Sequence, residues 1–196
     1  GGSDDPAVAR AAPKLVASIQ RAVALCEATL AFGKAEEPPP RLARLPLRPL
    51  VEDVVAGEGL GEGQPEAAAV AVVIDVPPGL VIRADAEQLY RVLANLLRNA
   101  RQAIETTAAG TGTIEIAAGE DDSEWWIRVG DTGPGLPPRA REHLFTAFQG
   151  GARKGGTGLG LTIAAELVRG HGGRLELVRS DAGGTEFAIR LPKALA

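Results

Sequence analysis

Methionine is missing from this sequence altogether, and cysteine occurs once and histidine twice in 196 residues. A single cysteine, Cys26, excludes an internal disulfide framework and a cysteine metal cluster, and the easy reading is a reducing cytosol. An excess of positive charge is also missing. The net charge is −4 with a pI near 5.3, which argues against a non-specific nucleic-acid binder with its basic face. No apolar run approaches the ~18–20 residues that span a bilayer, so no membrane contact is expected of this chain. The opening GGSDD reads as an expression remnant over residues 1–3, and with the absent methionine it suggests an excised piece of a longer protein.

What is present is ample for folding. The chain is 45% hydrophobic and 23% charged, enough to bury a core as one domain with an extension or as two small domains. From about Pro6 to Phe32, Leu15, Ile19, Ala22, Val23, Cys26 and Leu30 recur at helical steps. Such a helix would be roughly 40 Å long and calls for a partner helix. Gly33 and Pro38, Pro39 and Pro40 break it, which places a domain boundary in a Pro-rich linker over 37–46. Beyond it, LRPLVEDVVAG (47–57) reads as a helix, and AVAVVIDV (69–76) and GLVIRA (79–84) as strands. Asp85 is the expected cap of a helix running to Thr106 or Thr107, with Gln88 as its capping-box partner. TIEIAAG and SEWWIRVGD form a hairpin turning at EDD. PRAREHLFTAF and LGLTIAAELVRGHGG are helices, and RLELVRS and TEFAIRLP a closing strand pair. The order predicts an α+β two-layer sandwich behind a long helix, rather than a doubly wound parallel sheet.

Three stretches carry chemistry. In the 85–107 helix, Leu89, Val92, Leu93, Leu96, Ala100, Ala103 and Ile104 form a buried stripe, while Asn95, Asn99 and Gln102 share another face. Asparagine is a poor helix-interior residue. Its neutral oxygen can ligate Mg²⁺ beside a polyanion; equally, both amides can serve only to tie down adjacent loops. DTGPGLP places Asp131 at a strand end, where it can accept from an exocyclic amine such as adenine's, with Gly133 and Gly135 letting backbone pass under a flat ring. GGTGLGL opens a helix with Gly156, Gly158 and Gly160, whose N–H groups can cradle phosphate. It is neither a dinucleotide fingerprint nor a P-loop.

Each stretch alone is weak, but their order is specific. The chain resembles, over about Leu47 to Pro192, the nucleotide-binding domain shared by sensor histidine kinases, DNA gyrase B, the MutL repair proteins and the large heat-shock chaperones. Asn95–Asn99 looks like the family's N box, Asp131–Gly135 its G1 box, Phe145–Phe148 its F box and Gly156–Gly160 its G2 box, and GGT at 183–185 also fits. In the ATPase branches a water-activating glutamate stands four residues before the metal asparagine. Here that residue is Asn95, which cannot act as a general base. The resemblance therefore implies a histidine kinase that passes phosphate to an outside nucleophile.

By the same resemblance, ATP and Mg²⁺ are the expected cofactors. Asn99 holds the metal, Asn95 assists through metal water or phosphate, and Asp131 selects adenine with Gly133 and Gly135. Gly156, Thr157, Gly158, Leu159 and Gly160 line the phosphates, and Arg153 or Lys154 reaches the γ-phosphate. Many such kinases carry a lysine three residues after the metal asparagine; this chain has Gln102, which leaves Arg101, Arg153 or the partner domain as alternatives. Neither histidine is read as a phosphoacceptor: His143 is solvated or packing, and His171 stands at a helix end. Residues 4–36 resemble the second helix of the dimerisation and phosphotransfer hairpin, and 47–196 the catalytic domain. The implied partners are a response regulator receiver domain and a second kinase protomer, with no nucleic acid, and the implied location is cytoplasmic. A regulatory relative, namely a serine-kinase regulator or a docking module, is the alternative, and a free-standing ATPase a further one. Trp125 and Trp126 should face opposite sides of their strand, Tyr90 should be rim packing, and Glu36, Glu37, Asp121 and Asp122 solvated charge.

Overall fold

Alternation of apolar and polar residues in the strands, and three- and four-residue steps in the helices, separate the chain into two layers. The structure is a computed structural model that describes residues 37–60, 70–142, 144–145 and 159–193. The helix expected over 6–32, with Cys26 and Glu36, lies outside the described residues, as do His143, Phe148 and the stretch 151–158. The elements are β1 (Ala43–Pro46), α1 (Leu47–Gly57), β2 (Val70–Asp75), β3 (Val81–Ala84), α2 (Ala86–Glu105), β4 (Gly112–Glu120), β5 (Glu124–Asp131), α3 (Pro138–Glu142), α4 (Gly160–Gly170), β6 (Arg174–Asp181) and β7 (Gly184–Pro192).

One five-stranded sheet has the order β2-β4-β5-β7-β6. Only β2 and β4 pair parallel; the other neighbours are antiparallel. A parallel pair needs a long crossover, and here the 20-residue α2 provides it. β1 and β3 form a separate antiparallel ribbon, so Pro77, Pro78 and Gly79 lead the chain out of the main sheet rather than around a hairpin within it. β1 falls inside the stretch 37–46 expected to be linker. Its four residues lie between prolines and show no alternation long enough to mark a strand.

The inner face of the sheet is Ile114 and Ile116 of β4, Ile127 and Val129 of β5, Phe187, Ile189 and Leu191 of β7 and Leu175 of β6, all buried. α2 packs against β4 and β5, α4 packs against β6 and β7, and the two helices pack on each other. The stripe read from the sequence of α2 is buried throughout, and Ala94 and Leu97 join it. That second apolar side belongs with α1, which packs on α2 through a helix whose buried residues are Leu47, Leu50, Val51, Val54 and Val55. The α+β two-layer sandwich is thus the observed fold. The consecutive tryptophans divide as expected. Trp125 packs on the core, and Trp126 lies over Gly119 with the Arg128 guanidinium 5.0 Å from its ring centre. Tyr90 is partly buried rim packing, its hydroxyl against Gly57 at the end of α1.

Two local expectations are corrected. Asp85 does cap α2, its Oδ1 accepting the Gln88 N–H at 3.0 Å. The Gln88 side chain does not reach back to Asp85, however; its Nε2 donates to the Pro38 carbonyl at 2.9 Å. Nor are Glu37 and Asp121 merely solvated. Arg91 donates to both carboxylate oxygens of Glu37 at 2.8 and 3.1 Å. Asp121 closes its turn by accepting from the Ser123 and Glu124 N–H groups.

Candidate functional site

Asn95 and Asn99 project from the polar side of α2, both half-buried. The Asn99 Nδ2 is fully buried and has no hydrogen-bond partner among the described residues. Leaving a buried donor unmade costs ~1–3 kcal/mol. The first turn of α4 comes down beside Asn95: a Cβ built at Gly160 would stand 3.3 Å from Asn95 Oδ1. Leu159, at 1% exposure, pins that turn into the core. Gly160 is therefore brought to the amide face, and Leu159 before it is buried in the core.

One turn beyond Asn99, the loop after β5 presses on α2. Gly133 is in such close contact that a Cβ there would lie 2.8 Å from the Ala103 Cβ and 2.8 Å from Asp131 Oδ1. The Gly133 N–H donates to that same Oδ1 at 2.8 Å. Asp131 ends β5, in register between Ile114 of β4 and Thr185 of β7, and is 8% exposed. Few carboxylates are so buried without a specific use for the charge. Gly135 has φ +74°, and a Cβ there would lie 2.2 Å from the Asp181 carbonyl oxygen. Leu136 N–H donates to Ser180 Oγ at 2.7 Å, which binds the loop to the end of β6. The GGT stretch closes the other side: at Gly184 (φ +128°) a Cβ would collide with the Asp131 carbonyl, and Thr185 beside it is buried.

The structure thus brings Gly160 of α4 to Asn95, one turn before Asn99 on α2, and sets Gly133, with Asp131 behind it, beside Ala103 one turn beyond Asn99, while Gly135 packs against Asp181 at the end of β6. Gly156, Thr157, Gly158, Arg153 and Lys154 lie outside the described residues. Arg101 is occupied elsewhere: its Nη1 donates to the Glu58 carbonyl at 3.0 Å and its Nε lies 3.6 Å from Glu105. Sequence reasoning passed over Thr162 in the first turn of α4, whose buried Oγ1 has no hydrogen-bond partner among the described residues; a threonine there carries no signal in a single sequence. It also took His171 as an ordinary helix-end residue, whereas the ring is 4% exposed and bonded at both nitrogens.

Residues 84–195, more than half of the chain, match the family model described as histidine kinase-, DNA gyrase B-, and HSP90-like ATPase. The C4-dicarboxylate transport sensor protein DctB of Rhizobium meliloti is 40% identical over 125 residues, 63% of this chain and 20% of DctB. The probable sensor histidine kinase TcrY of Mycobacterium tuberculosis is 33% identical over 200 residues, 97% of this chain and 40% of TcrY. Among solved structures, full-length ShkA in complex with AMPPNP matches with TM-score 0.72 at 26% identity, covering all of this chain and 41% of ShkA. The nucleotide-free catalytic domain of the histidine kinase ThkA matches with TM-score 0.63 at 26% identity, covering 78% of this chain and 96% of that one. The chain spans between 16% and 40% of the length of the curated relatives it matches. The matched region contains the asparagine pair, the buried aspartate and the glycines around it, and the chain belongs to the histidine kinase-, DNA gyrase B- and HSP90-like ATPase family, as a catalytic ATP-binding domain of the sensor histidine kinase type.

Proposed function

We propose that this chain binds Mg²⁺·ATP between α2, α4 and the loop after β5, and that it is the phosphotransfer engine of a two-component sensor histidine kinase. The γ-phosphoryl group passes to a histidine on a helical hairpin and from there to an aspartate of a response regulator. Residues 4–36 would supply the second helix of that hairpin, paired with a second protomer. This chain binds nucleotide but does not phosphorylate itself, since neither His143 nor His171 is the acceptor. This chain works on the cytoplasmic side, whether or not its parent protein is anchored in a membrane. No helix among the described residues is long and apolar enough to cross a membrane.

The observation that carries this reading is the buried Asn99 amide nitrogen, without a partner among the described residues, one helical turn from the contact that seats the Asp131 loop. An amide whose NH₂ has no partner is committed to neither orientation, so its oxygen can be turned to a cation and its nitrogen to a phosphate oxygen. Among the described residues no three His, Cys, Asp or Glu side chains gather as a metal cage. That donor set suits Mg²⁺ held by one amide, phosphate oxygens and water. Mg²⁺, when bound, would offset the charge developing on the phosphates. Asn99 would hold it, and Asn95 would help through metal water or phosphate without removing a proton from water. Asp131 accepts from the adenine amine. The N–H groups of Gly156 to Gly160, Thr157 and Leu159 included, cradle phosphate at the start of α4, while Arg153 and Lys154 reach the γ-phosphate.

Calorimetric titration with Mg²⁺·AMPPNP tests the site. Binding at micromolar to millimolar concentration is expected, weakened at least tenfold in Asn99→Ala with an unchanged thermal midpoint. Equal affinity in that variant would put the nucleotide elsewhere. Steady phosphate release by the chain alone, abolished by the same substitution, would overturn the role given to Asn95.

A further inference from the structure

The bonds around Asp85 join three separate parts of the chain. Its Oδ1 caps α2, and its Oδ2 accepts the Arg41 N–H at 2.9 Å. Its own N–H donates to His171 Nε2 at 3.1 Å. That nitrogen therefore carries no proton, and the ring proton sits on Nδ1, which donates to the Leu167 carbonyl at 2.8 Å in the last turn of α4. Buried His171 is a joint between the end of α4 and the beginning of α2.

The chain that precedes β1 is seated on the same joint. Gln88, 7% exposed, holds the Pro38 carbonyl, Arg91 forks onto Glu37, and Pro40 lies 3.8 Å from the Cβ position of Gly170 at the end of α4. Gln88, Arg91, Asn95 and Asn99 follow one another along α2 at steps of three, four and four, so they lie along one side of one helix. The first two hold the connector and the last two are the amide face.

The geometry closes at the far end too. Asn95 lies ten residues after Asp85, and Gly160 eleven before His171. At 1.5 Å per residue each span is about 15 Å, so α2 and α4 run antiparallel and are matched at both ends. One match is the Asp85–His171 bond; the other is the approach of Gly160 to Asn95. A lengthwise slip of α4 on α2 cannot change one without changing the other.

We propose that His171 is a positioning residue for the nucleotide site, and that through the Asp85–His171 joint the seating of the 37–41 connector and the binding of nucleotide are coupled. This rests on the reading that nucleotide lies against Asn95 and Asn99. The bonds at the joint hold the register of α4 on α2, and hence the distance between Gly160 at the start of α4 and the Asn95 and Asn99 amides. Coupling is reciprocal: an unseated connector weakens nucleotide binding, and bound nucleotide tightens the connector.

The test measures hydrogen exchange of the Arg41 and Asp85 amides in the whole chain, with and without saturating Mg²⁺·AMPPNP, together with AMPPNP affinity. Nucleotide is expected to slow exchange at both amides about fivefold or more, the lower range of measured site couplings. His171→Leu, which removes both ring bonds, should weaken AMPPNP binding about tenfold and abolish the slowing. His171→Gln, which keeps an acceptor for the Asp85 N–H, should restore most of both. Arg91→Glu, which repels Glu37 on the exposed surface, should weaken binding by several-fold without lowering the thermal midpoint. Exchange at Arg41 and Asp85 indifferent to nucleotide in the unaltered chain would overturn the coupling, and this arm needs no variant to fold. Affinity equal to the unaltered chain in both His171 variants would overturn the positioning role. Asn99→Ala separates the two readings: unaltered binding there removes the site itself and this inference with it, whereas lost binding there with indifferent amides removes the coupling alone.

Discussion

Replacing Asp131 by asparagine changes one atom of the proposed purine contact while leaving the fold almost untouched. The native Oδ1 accepts the Gly133 N–H at 2.8 Å, and an asparagine oxygen can keep that bond. At 8% exposure a neutral amide is easier to bury than a carboxylate, so the loss of folding stability should stay below about 1 kcal/mol. Binding is a different matter. The adenine amine is a donor, and in the variant an NH₂ group occupies the place of a carboxylate oxygen. A hydrogen bond to a charged acceptor is worth ~1.5–3 kcal/mol, which corresponds to an increase in Kd of roughly 10- to 150-fold. Asp131→Ala would be the poorer experiment, because it also orphans the Gly133 N–H and confounds affinity with folding. Calorimetry should show Asp131→Asn binding Mg²⁺·AMPPNP at least tenfold more weakly at an unchanged thermal midpoint. The guanine analogue, which offers a carbonyl where adenine offers its amine, should lose far less. Binding of the adenine nucleotide within about threefold of the unaltered chain would refute the assignment of Asp131.

Other expectations follow from neighbouring contacts. Gly184→Ala places a methyl group against the Asp131 carbonyl at φ +128°; chemical denaturation should show a loss of ~2–4 kcal/mol or an outright failure to fold. The Asp85 carboxyl is held below its ordinary value first by the Gln88 N–H and, with burial opposing, next by the Arg41 N–H. Its contribution is therefore complete above the ordinary carboxylate range near pH 4 and is lost as pH falls through the lower folded value; an acid titration of stability in Asp85→Asn should be flatter below about pH 4 than in the unaltered chain. Asn95→Glu places a carboxylate beside the first turn of α4, and slow phosphate release from ATP, measured against Asn95→Gln, is the expected gain.

The parts of this fold legible in the sequence are those that local physics decides. The stripe from Leu89 to Ile104 predicts a helix and its buried side because helical periodicity needs no partner to be visible. The hairpin at Asp121–Ser123 and the strands flanking it are legible for the same reason. What was hidden is set by distant partners. β1 is a four-residue strand that pairs with β3, and β2 joins the sheet by lying parallel to β4 across α2. The capping box at Asp85 is the sharpest case: a local rule assigns the Gln88 side chain to the Asp85 N–H, but His171 takes that N–H and Pro38 takes Gln88. A residue from the far end of α4 and one from the connector outcompete a neighbour three positions away. No spacing in the sequence announces either.

The glycines of the site show the same limit from the other side. Their spacing suggests room left for a ring or a phosphate, yet the described ones answer to the protein's own backbone and side chains as well. Gly133 is where the loop touches Ala103, Gly135 where it crosses the Asp181 carbonyl, and Gly184 where β7 starts against the end of β5. Each is filled on its protein side, so a side chain added there strikes the scaffold whether or not nucleotide is bound. Gly160 differs: the nearest atoms to its missing Cβ belong to the Asn95 amide, at 3.3 Å and beyond. Substitution at the first three should register in folding, and the proposed contact of Asp131 with the purine depends on those three contacts holding its loop. At Gly160 a methyl group falls on a residue of the amide face, and a helix gains from alanine over glycine. Loss of affinity there, without loss of stability, would mark the one position in this set where glycine serves the ligand.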